Sequence, residues 1–214
     1  MYLDSANLNE IKEATTYGII KGVTTNPTIL LREEVPMRES VERILQATVG
    51  DVFVQVSGNT LEQLYQSAQE IMAVSTERII VKVPINSAGL QLISKLKAED
   101  RNIPILGTTI FSADQAILAG LAGCAYVAPY INRMENNHIN PNEVISKIRA
   151  FYDERNLPTK ILGASYKNTN QVIDSFLAGA HTVTVPLDII KKMMDKPLAQ
   201  DSIEAFEKDA AKLG

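Results

Sequence analysis

The sequence predicts a (β/α)8 barrel, the TIM-barrel architecture, with an extra helix at the C-terminus. Short apolar, β-branched runs alternate with helix-favouring segments from one end of its 214 residues to the other, and eight such units follow one another. No low-complexity segment or Pro/Gly-rich linker divides the chain, so residues 1–214 are predicted to form a single domain. A doubly wound open sheet is the alternative, but it usually has fewer strands and a nucleotide-binding loop. Neither G-x-G-x-x-G nor G-x-x-x-x-G-K-S/T occurs in the sequence.

The predicted strands are apolar runs of the length that a barrel strand requires, bounded by polar or turn-forming residues. In chain order they are Tyr2–Asp4, Gly22–Asn26, Val52–Ser57, Arg78–Pro84, Pro104–Ile110, Ala125–Tyr130, Lys160–Ser165 and Thr182–Pro186.

The segments between the strands have helical periodicity and polar residues at their starts. Examples of predicted helices are Leu61–Val74, Ala88–Ala98, Pro141–Tyr152 and Asn170–Ala178. The predicted helix-capping residues are Asn7, Asn59 or Thr60, Ser112, Asn140 and Thr169. A last segment, 198–214, has apolar residues at near-helical spacing and extends beyond the eighth unit. This C-terminal helix is predicted to pack either on the barrel bottom or on a neighbouring subunit.

Composition and charge exclude several classes of function. With 21% charged residues and a formal net charge of −4, the chain has no electrostatic footprint for nucleic acid or an anionic membrane. No apolar run approaches the ~18–20 residues that span a bilayer, and the N-terminus has no basic segment typical of export signals. A single cysteine, Cys124, excludes an intrachain disulfide. A cytoplasmic protein is predicted.

Polar residues collect where the predicted strands end. Because the active sites of such barrels lie at the C-terminal ends of the strands, these residues are the candidates for chemistry. In strand order they are Asp4, Thr24 and Asn26, Gln55, Lys82, Thr108, Tyr130 and Ser165. Two-residue alternation places Gln55, Lys82 and Thr108 on the same face of their strands as apolar residues deeper in the barrel. A purely structural barrel needs no such set.

Lys82 is the candidate with the strongest signal, because it lies within the apolar strand Arg78–Pro84. Burial disfavours an ammonium ion, so the pKa of this lysine should fall and leave an amine able to attack a carbonyl group. The alternative is a lysine whose amine reaches water from the end of the strand. The surrounding polar strand ends favour the nucleophile.

Three other residues complete the predicted chemistry. Asp4 could cap a helix, but Asn7 can serve that role and leave Asp4 free to face the lumen. Tyr130 is either an aromatic cover for the core or a phenol that transfers protons. Gln55 is uncharged, so it can hold a water molecule or hydroxyl group but cannot act as a general base.

Arg133, Ser165 and Lys167 follow the sixth and seventh strands and are predicted to bind an anion. Barrels often bind phosphate near their last two strands. The alternative reading of Arg133 and Lys167 is two solvated loop charges. Neither His138 nor His181 belongs to a cluster of metal-ligating residues, so no metal and no cofactor is predicted.

Several motifs, in order along the whole chain, resemble the small transaldolases and most closely the fructose-6-phosphate aldolase branch of that family. They are L-D-S-A-N from Leu3, G-V-T-T-N-P-T from Gly22, V-K-V-P from Val81, L-G-T-T from Leu106 and Y-V-A-P-Y-I-N-R from Tyr126. The resemblance implies a metal-free, class I aldol mechanism in which Lys82 forms a Schiff base with the substrate. It also implies that Asp4 and Asn26 hold the substrate hydroxyl groups and orient the lysine, and Thr24 is predicted to bind the substrate.

Two positions distinguish the branches of the family. True transaldolases carry a glutamate on the third strand and a phenylalanine after the proline of the sixth, whereas the aldolase branch carries glutamine and tyrosine. Gln55 and Tyr130 therefore favour an aldolase that interconverts fructose 6-phosphate with dihydroxyacetone and glyceraldehyde 3-phosphate. In that mechanism Tyr130 transfers protons through a water molecule held by Gln55 and Thr108. Arg133 and Lys167 bind the sugar phosphate, and Ser165 binds either a hydroxyl group or the phosphate. Some relatives have arginine at the position of Lys167, and lysine lacks the bidentate fork of arginine.

Two other functions remain open from the sequence. The first is a transaldolase of the pentose phosphate pathway, which would pass the dihydroxyacetone unit to an aldose phosphate. The second is a non-catalytic barrel that binds sugar phosphates. The resemblance further implies a homo-oligomer, a decamer formed by two rings of five, with a sugar phosphate as the only other partner.

Overall fold

Eight parallel strands form a closed barrel in which each strand pairs with its neighbours in sequence and β1 pairs with β8. The computed structural model describes residues 1–75 and 77–213. The strands are β1 (Tyr2–Asp4), β2 (Gly22–Thr24), β3 (Asp51–Gln55), β4 (Ile79–Pro84), β5 (Ile105–Ile110), β6 (Tyr126–Pro129), β7 (Lys160–Gly163) and β8 (Thr182–Val185). The predicted (β/α)8 architecture is confirmed.

Helices surround the barrel and connect its strands. Those described are α1 (Leu8–Thr16), α2 (Pro27–Leu31), α3 (Met37–Ala47), α4 (Leu61–Met72), α5 (Ser87–Glu99), α6 (Ala113–Leu121), α7 (Ile131–Glu135), α8 (Pro141–Glu154), α9 (Thr169–Leu177), α10 (Leu187–Met194) and α11 (Pro197–Ala210). The short helices α2 and α7 begin immediately beyond the C-terminal ends of β2 and β6, where they add side chains to the rim of the barrel.

Two apolar cores lie on opposite faces of the sheet, as the two-residue alternation predicts. Val52, Val54 and Val81 pack outward in the large core beneath the helices. The other core fills the lumen with side chains of alternating strand positions, namely Tyr2, Phe53, Ile80, Leu106, Ala128, Leu162 and Ala164. The lumen is therefore a packed interior and not a pore, and a cavity opens at its C-terminal end.

Three predicted strands end earlier than expected, because their last residues leave the ladder to build loops. β2 ends at Thr24, since Asn26 caps α2 with its side chain. β3 ends at Gln55, not Ser57, and β7 ends at Gly163, two residues before Ser165. The other strand bounds agree with the predictions to within one residue.

Helix-capping predictions are confirmed at Asn7, Thr60 and Asn140, whose side chains accept backbone hydrogen bonds. Ser112 occupies the predicted position but forms no capping hydrogen bond from its side chain. Thr169 is wrong, because Asn168 caps α9 by accepting from the amide of Gln171.

The C-terminal helix is present as α11, and none of its side chains is buried. Leu198, Ile203 and Phe206 are more than half exposed, at 81%, 52% and 71%. The helix therefore does not close the barrel bottom, which was one of its two predicted positions. Gly214, the last residue of the predicted segment, lies outside the described residues. Among those described, no helix combines the length and the hydropathy required to cross a membrane.

Candidate active site

A cavity of about 930 Å³ opens at the C-terminal end of the barrel. It is lined by nine of the ten residues that the sequence singles out: Asp4, Thr24, Asn26, Gln55, Lys82, Tyr130, Arg133, Ser165 and Lys167. The tenth, Thr108, lies behind Tyr130. Strand ends that are far apart in sequence thus meet in one place.

Lys82 rises from the middle of β4 into the floor of the cavity and is only 5% exposed. Its Nζ donates a 2.6 Å hydrogen bond to the backbone carbonyl oxygen of Thr25. Burial lowers the pKa of Lys82 to about 8, although the negative charge of Asp4 opposes the change. The alternative of an amine reaching bulk water is therefore wrong, and a substantial fraction of free amine exists near neutral pH.

Asp4 faces Lys82 from the end of β1 and is held by a chain of hydroxyl groups. Thr24, its partner in the sheet register, donates a 2.8 Å hydrogen bond to Asp4 Oδ1. The Oγ1 atoms of Thr24 and Thr184 are 2.6 Å apart, so Thr184 donates to Thr24. Burial raises the pKa of Asp4, while Lys82 and the Thr24 hydrogen bond act in the opposite direction. Asp4 can therefore exchange a proton at the cavity floor.

Gln55 is the residue beside Lys82 in the paired strands β3 and β4. It lines the cavity with a neutral amide, so this wall carries no ionisable group next to the amine. The amide can donate and accept hydrogen bonds but cannot take up a proton at neutral pH.

Tyr130 follows β6 and presents its phenol to the cavity. Its Oη lies 2.9 Å from Thr108 Oγ1, and the guanidinium of Arg133 lies 5.2 Å from the centre of its ring. Burial raises the pKa of Tyr130, and this outweighs the hydrogen bonds from Thr108 and the backbone of Thr109. The phenol is thus protonated at neutral pH, fixed in orientation and able to donate.

Thr108 is fully buried and serves the cavity only through Tyr130, because β5 is irregular at this point. The register between β5 and β6 shifts between Gly107 and Ile110. Thr109 adopts a left-handed conformation with φ 57°, which is strained for a β-branched residue, and it lines the cavity instead.

Asn26 and Thr24 have structural hydrogen bonds that limit what they can offer a substrate. The Asn26 Oδ1 accepts from the amide of Ile29 as the cap of α2, so its amide nitrogen is the group available to the cavity. The hydroxyl proton of Thr24 is directed to Asp4, which makes Thr24 a positioning residue for that carboxyl group.

Several cavity residues were not found by sequence reasoning, because most of them lie in helices and loops beyond the strand ends, and Thr109 and Thr184 lie within strands at positions not singled out. They include Ser5, Glu10, Arg32, Thr109, Asn132, Thr184 and Asp188. Arg32 ends α2, and its positive charge is one of those that lower the pKa of Asp4. Ser5 donates a 2.5 Å hydrogen bond to Glu10. The Asn-Pro pair that starts α2 was a signal that a helix there would bring side chains to the rim.

The histidines are not part of this site. His181 lies just before β8, at the opposite end of the barrel, where it accepts a 3.0 Å hydrogen bond from the amide of Ile161. Across residues 1–75 and 77–213, no group of three His, Cys, Asp or Glu residues is arranged to hold a metal ion. The residues present can instead supply an amine nucleophile, a carboxyl group and a phenol.

Comparisons with known proteins agree with these features. All 214 residues match the sequence model of the family described as transaldolase/fructose-6-phosphate aldolase. A probable transaldolase of Maridesulfovibrio salexigens is 36% identical over 214 residues, covering 99% of this chain and 98% of the relative. A probable transaldolase of Alkaliphilus metalliredigens is 32% identical over 209 residues, covering 98% and 96%.

Solved structures that are similar in shape are distant in sequence. A flavocytochrome b2 variant superposes with a TM-score of 0.61 at 12% identity, covering 87% of this chain and 57% of that one. A mandelate oxidase variant gives a TM-score of 0.61 at 12% identity and covers 88% and 64%. At this identity the likeness concerns the barrel fold alone.

Proposed function

The chain belongs to the transaldolase/fructose-6-phosphate aldolase family, and on that premise we propose that it is a metal-free class I aldolase acting on fructose 6-phosphate. The products are dihydroxyacetone and glyceraldehyde 3-phosphate, and the reverse reaction joins them. The observation that carries this proposal is the buried Lys82 amine, with its pKa lowered to about 8, between Asp4 and Gln55 at the cavity floor.

The reaction begins when the free amine of Lys82 attacks the C2 carbonyl of the sugar. The carbinolamine then loses water to give a protonated imine, with the hydroxyl group leaving as it receives a proton. Tyr130 is the donor, because burial keeps its phenol protonated and Thr108 fixes the Oη position. Gln55 lines the cavity and holds the water molecule through which this proton passes, whereas Thr108, expected from the sequence to hold the same water, acts only by fixing Tyr130.

Carbon–carbon cleavage follows because the iminium nitrogen accepts the electron pair of the C3–C4 bond. A base removes the proton of the C4 hydroxyl group, the bond breaks, and glyceraldehyde 3-phosphate departs. The enamine left on Lys82 is then protonated at C3 and hydrolysed to dihydroxyacetone and free amine. Asp4 is placed to accept and return protons here, since burial raises the pKa of its carboxyl group.

The phosphate group of the substrate is bound by Arg133, Ser165 and Lys167. All three line the cavity and follow β6 and β7 in the chain. The two cations are exposed at the rim, where a phosphate can reach them while the carbonyl group lies at Lys82.

A second function in the same chemistry is a transaldolase, in which an aldose phosphate intercepts the enamine before hydrolysis. The names of the relatives favour it, since those at 32% and 36% identity are called probable transaldolases. Gln55 and Tyr130 favour the aldolase, because the neutral amide leaves proton transfer to the phenol. The discriminating measurement is release of free dihydroxyacetone from fructose 6-phosphate with no acceptor present. Release identifies the aldolase, and dependence on erythrose 4-phosphate identifies the transaldolase.

The first experiment is reductive trapping of the Schiff base. Incubation with fructose 6-phosphate and borohydride should leave a three-carbon adduct on Lys82, located by peptide mass mapping. Lys97 is the internal control, because burial lowers its pKa too, yet its Nζ is bound to the carbonyl oxygen of Ile103 and it does not line the cavity. No adduct with either fructose 6-phosphate or hydroxyacetone, under conditions where binding is measured, would favour a non-catalytic sugar-phosphate-binding barrel.

The same proposal includes a cytoplasmic location and a homo-oligomer, with the decamer of two five-membered rings as the expected form. The exposed apolar residues of α11 support association with a second copy of the chain.

A further inference from the structure

Gln171 is a buried side chain outside the cavity whose amide group joins the two loops that carry the candidate phosphate cations. It lies in the first turn of α9 and is 4% exposed. Its Oε1 accepts a 2.8 Å hydrogen bond from the backbone amide of Lys167. Its Nε2 donates at 3.2 Å to Asn132 Oδ1 and at 2.5 Å to Glu135 Oε2. Both polar atoms of one amide thus bind groups on either side of the cavity rim.

The partners of Gln171 flank the cations themselves. Asn132 and Glu135 belong to α7, the five-residue helix that also carries Arg133. Lys167 lies in the loop between β7 and α9. A buried amide that loses these partners costs the full desolvation of its donors and acceptor, so the contacts are strongly specified.

Backbone hydrogen bonds fix only the near ends of the two loops. The amide of Ile131 donates to the carbonyl of Ala164 at 2.9 Å, and that of Asn132 donates to the carbonyl of Ser165 at 3.0 Å. Ser165 has a left-handed φ of 65°, so the chain turns sharply before Lys167. Beyond that turn, Gln171 is the side chain that ties the amide of Lys167 to the far end of α7.

We propose that Gln171 is a positioning residue that sets the spacing of Arg133 and Lys167 and thereby determines preference for phosphorylated substrates. This inference rests on the proposed function for its substrate class. Gln171 touches neither the substrate nor the Lys82 site, so it acts on binding at the rim and leaves the chemistry at the floor unchanged.

The test compares two aldehydes that differ only in the phosphate group, with dihydroxyacetone as donor. Gln171→Met keeps the length and burial of the side chain but removes all three hydrogen bonds. The KM for glyceraldehyde 3-phosphate should rise by about tenfold, as expected for the loss of hydrogen bonds that hold a binding group. The kcat/KM for unphosphorylated glyceraldehyde should stay within about twofold of wild type. An equal loss with both aldehydes, or no change in their ratio, overturns the inference.

Gln115→Met is the matched control. Gln115 makes the same kind of contact on α6, accepting from the amide of Phe111 at 2.9 Å and donating to the carbonyl groups of Ile85 at 3.3 Å and Thr109 at 3.4 Å. None of these three backbone partners belongs to the loops that carry Arg133 and Lys167. Its substitution should leave the ratio of the two kcat/KM values unchanged, whatever it does to stability.

A charge swap covers the case in which Gln171→Met does not fold. Gln171→Glu is isosteric and keeps the acceptor for the amide of Lys167, but it sets a second carboxylate against Glu135. The ratio of kcat/KM for glyceraldehyde 3-phosphate to kcat/KM for glyceraldehyde should fall in Gln171→Glu. It should recover when Glu135→Gln is added, because the amide and the carboxylate then exchange places between positions 171 and 135. No recovery in a folded double variant contradicts positioning through this contact.

Inorganic phosphate separates this inference from the proposed function. As a competitive inhibitor, or as a stabilising ligand in a thermal shift assay, phosphate should bind about tenfold more weakly to Gln171→Met than to wild type. If the wild type binds phosphate but forms no product with either aldehyde, the proposed aldolase function fails while the role of Gln171 stands. If the wild type is active and Gln171→Met binds phosphate normally, the inference alone is wrong.

Discussion

The two ends of the barrel lumen are built from the same strands yet have opposite character. At the lower end Tyr2, Phe53 and Tyr126 stack edge to face, with ring centres 5.0 to 6.4 Å apart. Two residues further along β3 and β4, Gln55 and Lys82 replace Phe53 and Ile80. The lower end closes the barrel by aromatic packing, and this packing is what excludes water from below the amine.

The comparison shows that burial has different consequences at the two ends. Tyr2 and Tyr126 lie with their hydroxyl oxygens 3.4 Å apart, do not line the cavity of Lys82, and contribute packing. Tyr130 is also buried enough to have a raised pKa, but it shares its cavity with Lys82 and Asp4. A phenol becomes a candidate for catalysis through its neighbours and not through its own burial.

Lys82→Met should have the largest effect, abolishing the chemistry at the upper end of the lumen without disturbing the packing at the lower end. Without a nucleophile no Schiff base forms, so activity should fall by more than about 10⁴-fold and borohydride trapping should fail. Ile80→Val, two residues earlier on the same strand, is the matched control. It should cost about 0.5–1.5 kcal/mol of unfolding free energy and leave kcat unchanged. Residual turnover in Lys82→Met with a new adduct elsewhere would remove Lys82 from the mechanism.

Lys82→Met should also be more stable than wild type at neutral pH. The folded protein disfavours the Lys82 ammonium, since its pKa falls from 10.5 to about 8, and this penalty corresponds to about 3 kcal/mol. The penalty is fully present below pH 8 and vanishes as the pH rises to 10.5, where the unfolded chain also loses the proton. Denaturant unfolding at several pH values should show the advantage of Lys82→Met shrinking over that window. A constant difference would mean that Lys82 is not desolvated.

Tyr130→Phe should have the next largest effect. Loss of a positioned proton donor lowers kcat by about 10²- to 10³-fold, with Schiff base formation slowed in a single-turnover trapping experiment. Tyr126→Phe makes the same chemical change at the lower end, where the hydroxyl group faces Tyr2. It should leave kcat within about twofold, because it touches no reacting atom. Equal losses in the two variants would show that Tyr130 acts by packing.

The sequence was sufficient to predict what depends on local periodicity. Two-residue alternation placed Gln55 and Lys82 on the lumen face, and an apolar strand around Lys82 implied its burial. The irregular end of β5, which turns Thr109 rather than Thr108 to the cavity, was not predictable, because it arises from pairing with β6. The role of Gln171 was not predictable either, because its contact with Asn132 joins residues that are 39 positions apart in the chain.

The pH dependence of kcat/KM should be smaller in size but informs on both groups at the cavity floor. The rate should rise with pH while the Lys82 ammonium loses its proton, with a midpoint near its pKa of about 8. The Asp4 charge raises the pKa of Lys82, so Asp4→Asn should shift this midpoint to lower pH, along with any loss of activity. A profile that is flat between pH 6 and 9 in the wild type would contradict an amine of this pKa as nucleophile.

Removal of α11 should have the smallest effect on the barrel, and it tests whether the lower end of the lumen depends on this helix. Because the helix buries no side chain, a chain ending at residue 196 should unfold with a free energy within about 0.5 kcal/mol of the full chain under conditions where both are monomeric. A larger loss would mean that the aromatic floor of Tyr2, Phe53 and Tyr126 depends on a cover.

Association is where the truncation should be visible. Leu198 and Phe206 are 81% and 71% exposed, and such residues on one helix are more often covered by a partner than left in water. Analytical ultracentrifugation should therefore show the full chain as an oligomer and the truncated chain shifted to smaller species. Leu198→Lys with Phe206→Lys should give the same shift at full length, whereas lysine at the already charged neighbours Asp201 and Glu204 should have less effect. An unchanged sedimentation profile in both variants would assign the oligomer interface, if there is one, to the barrel itself.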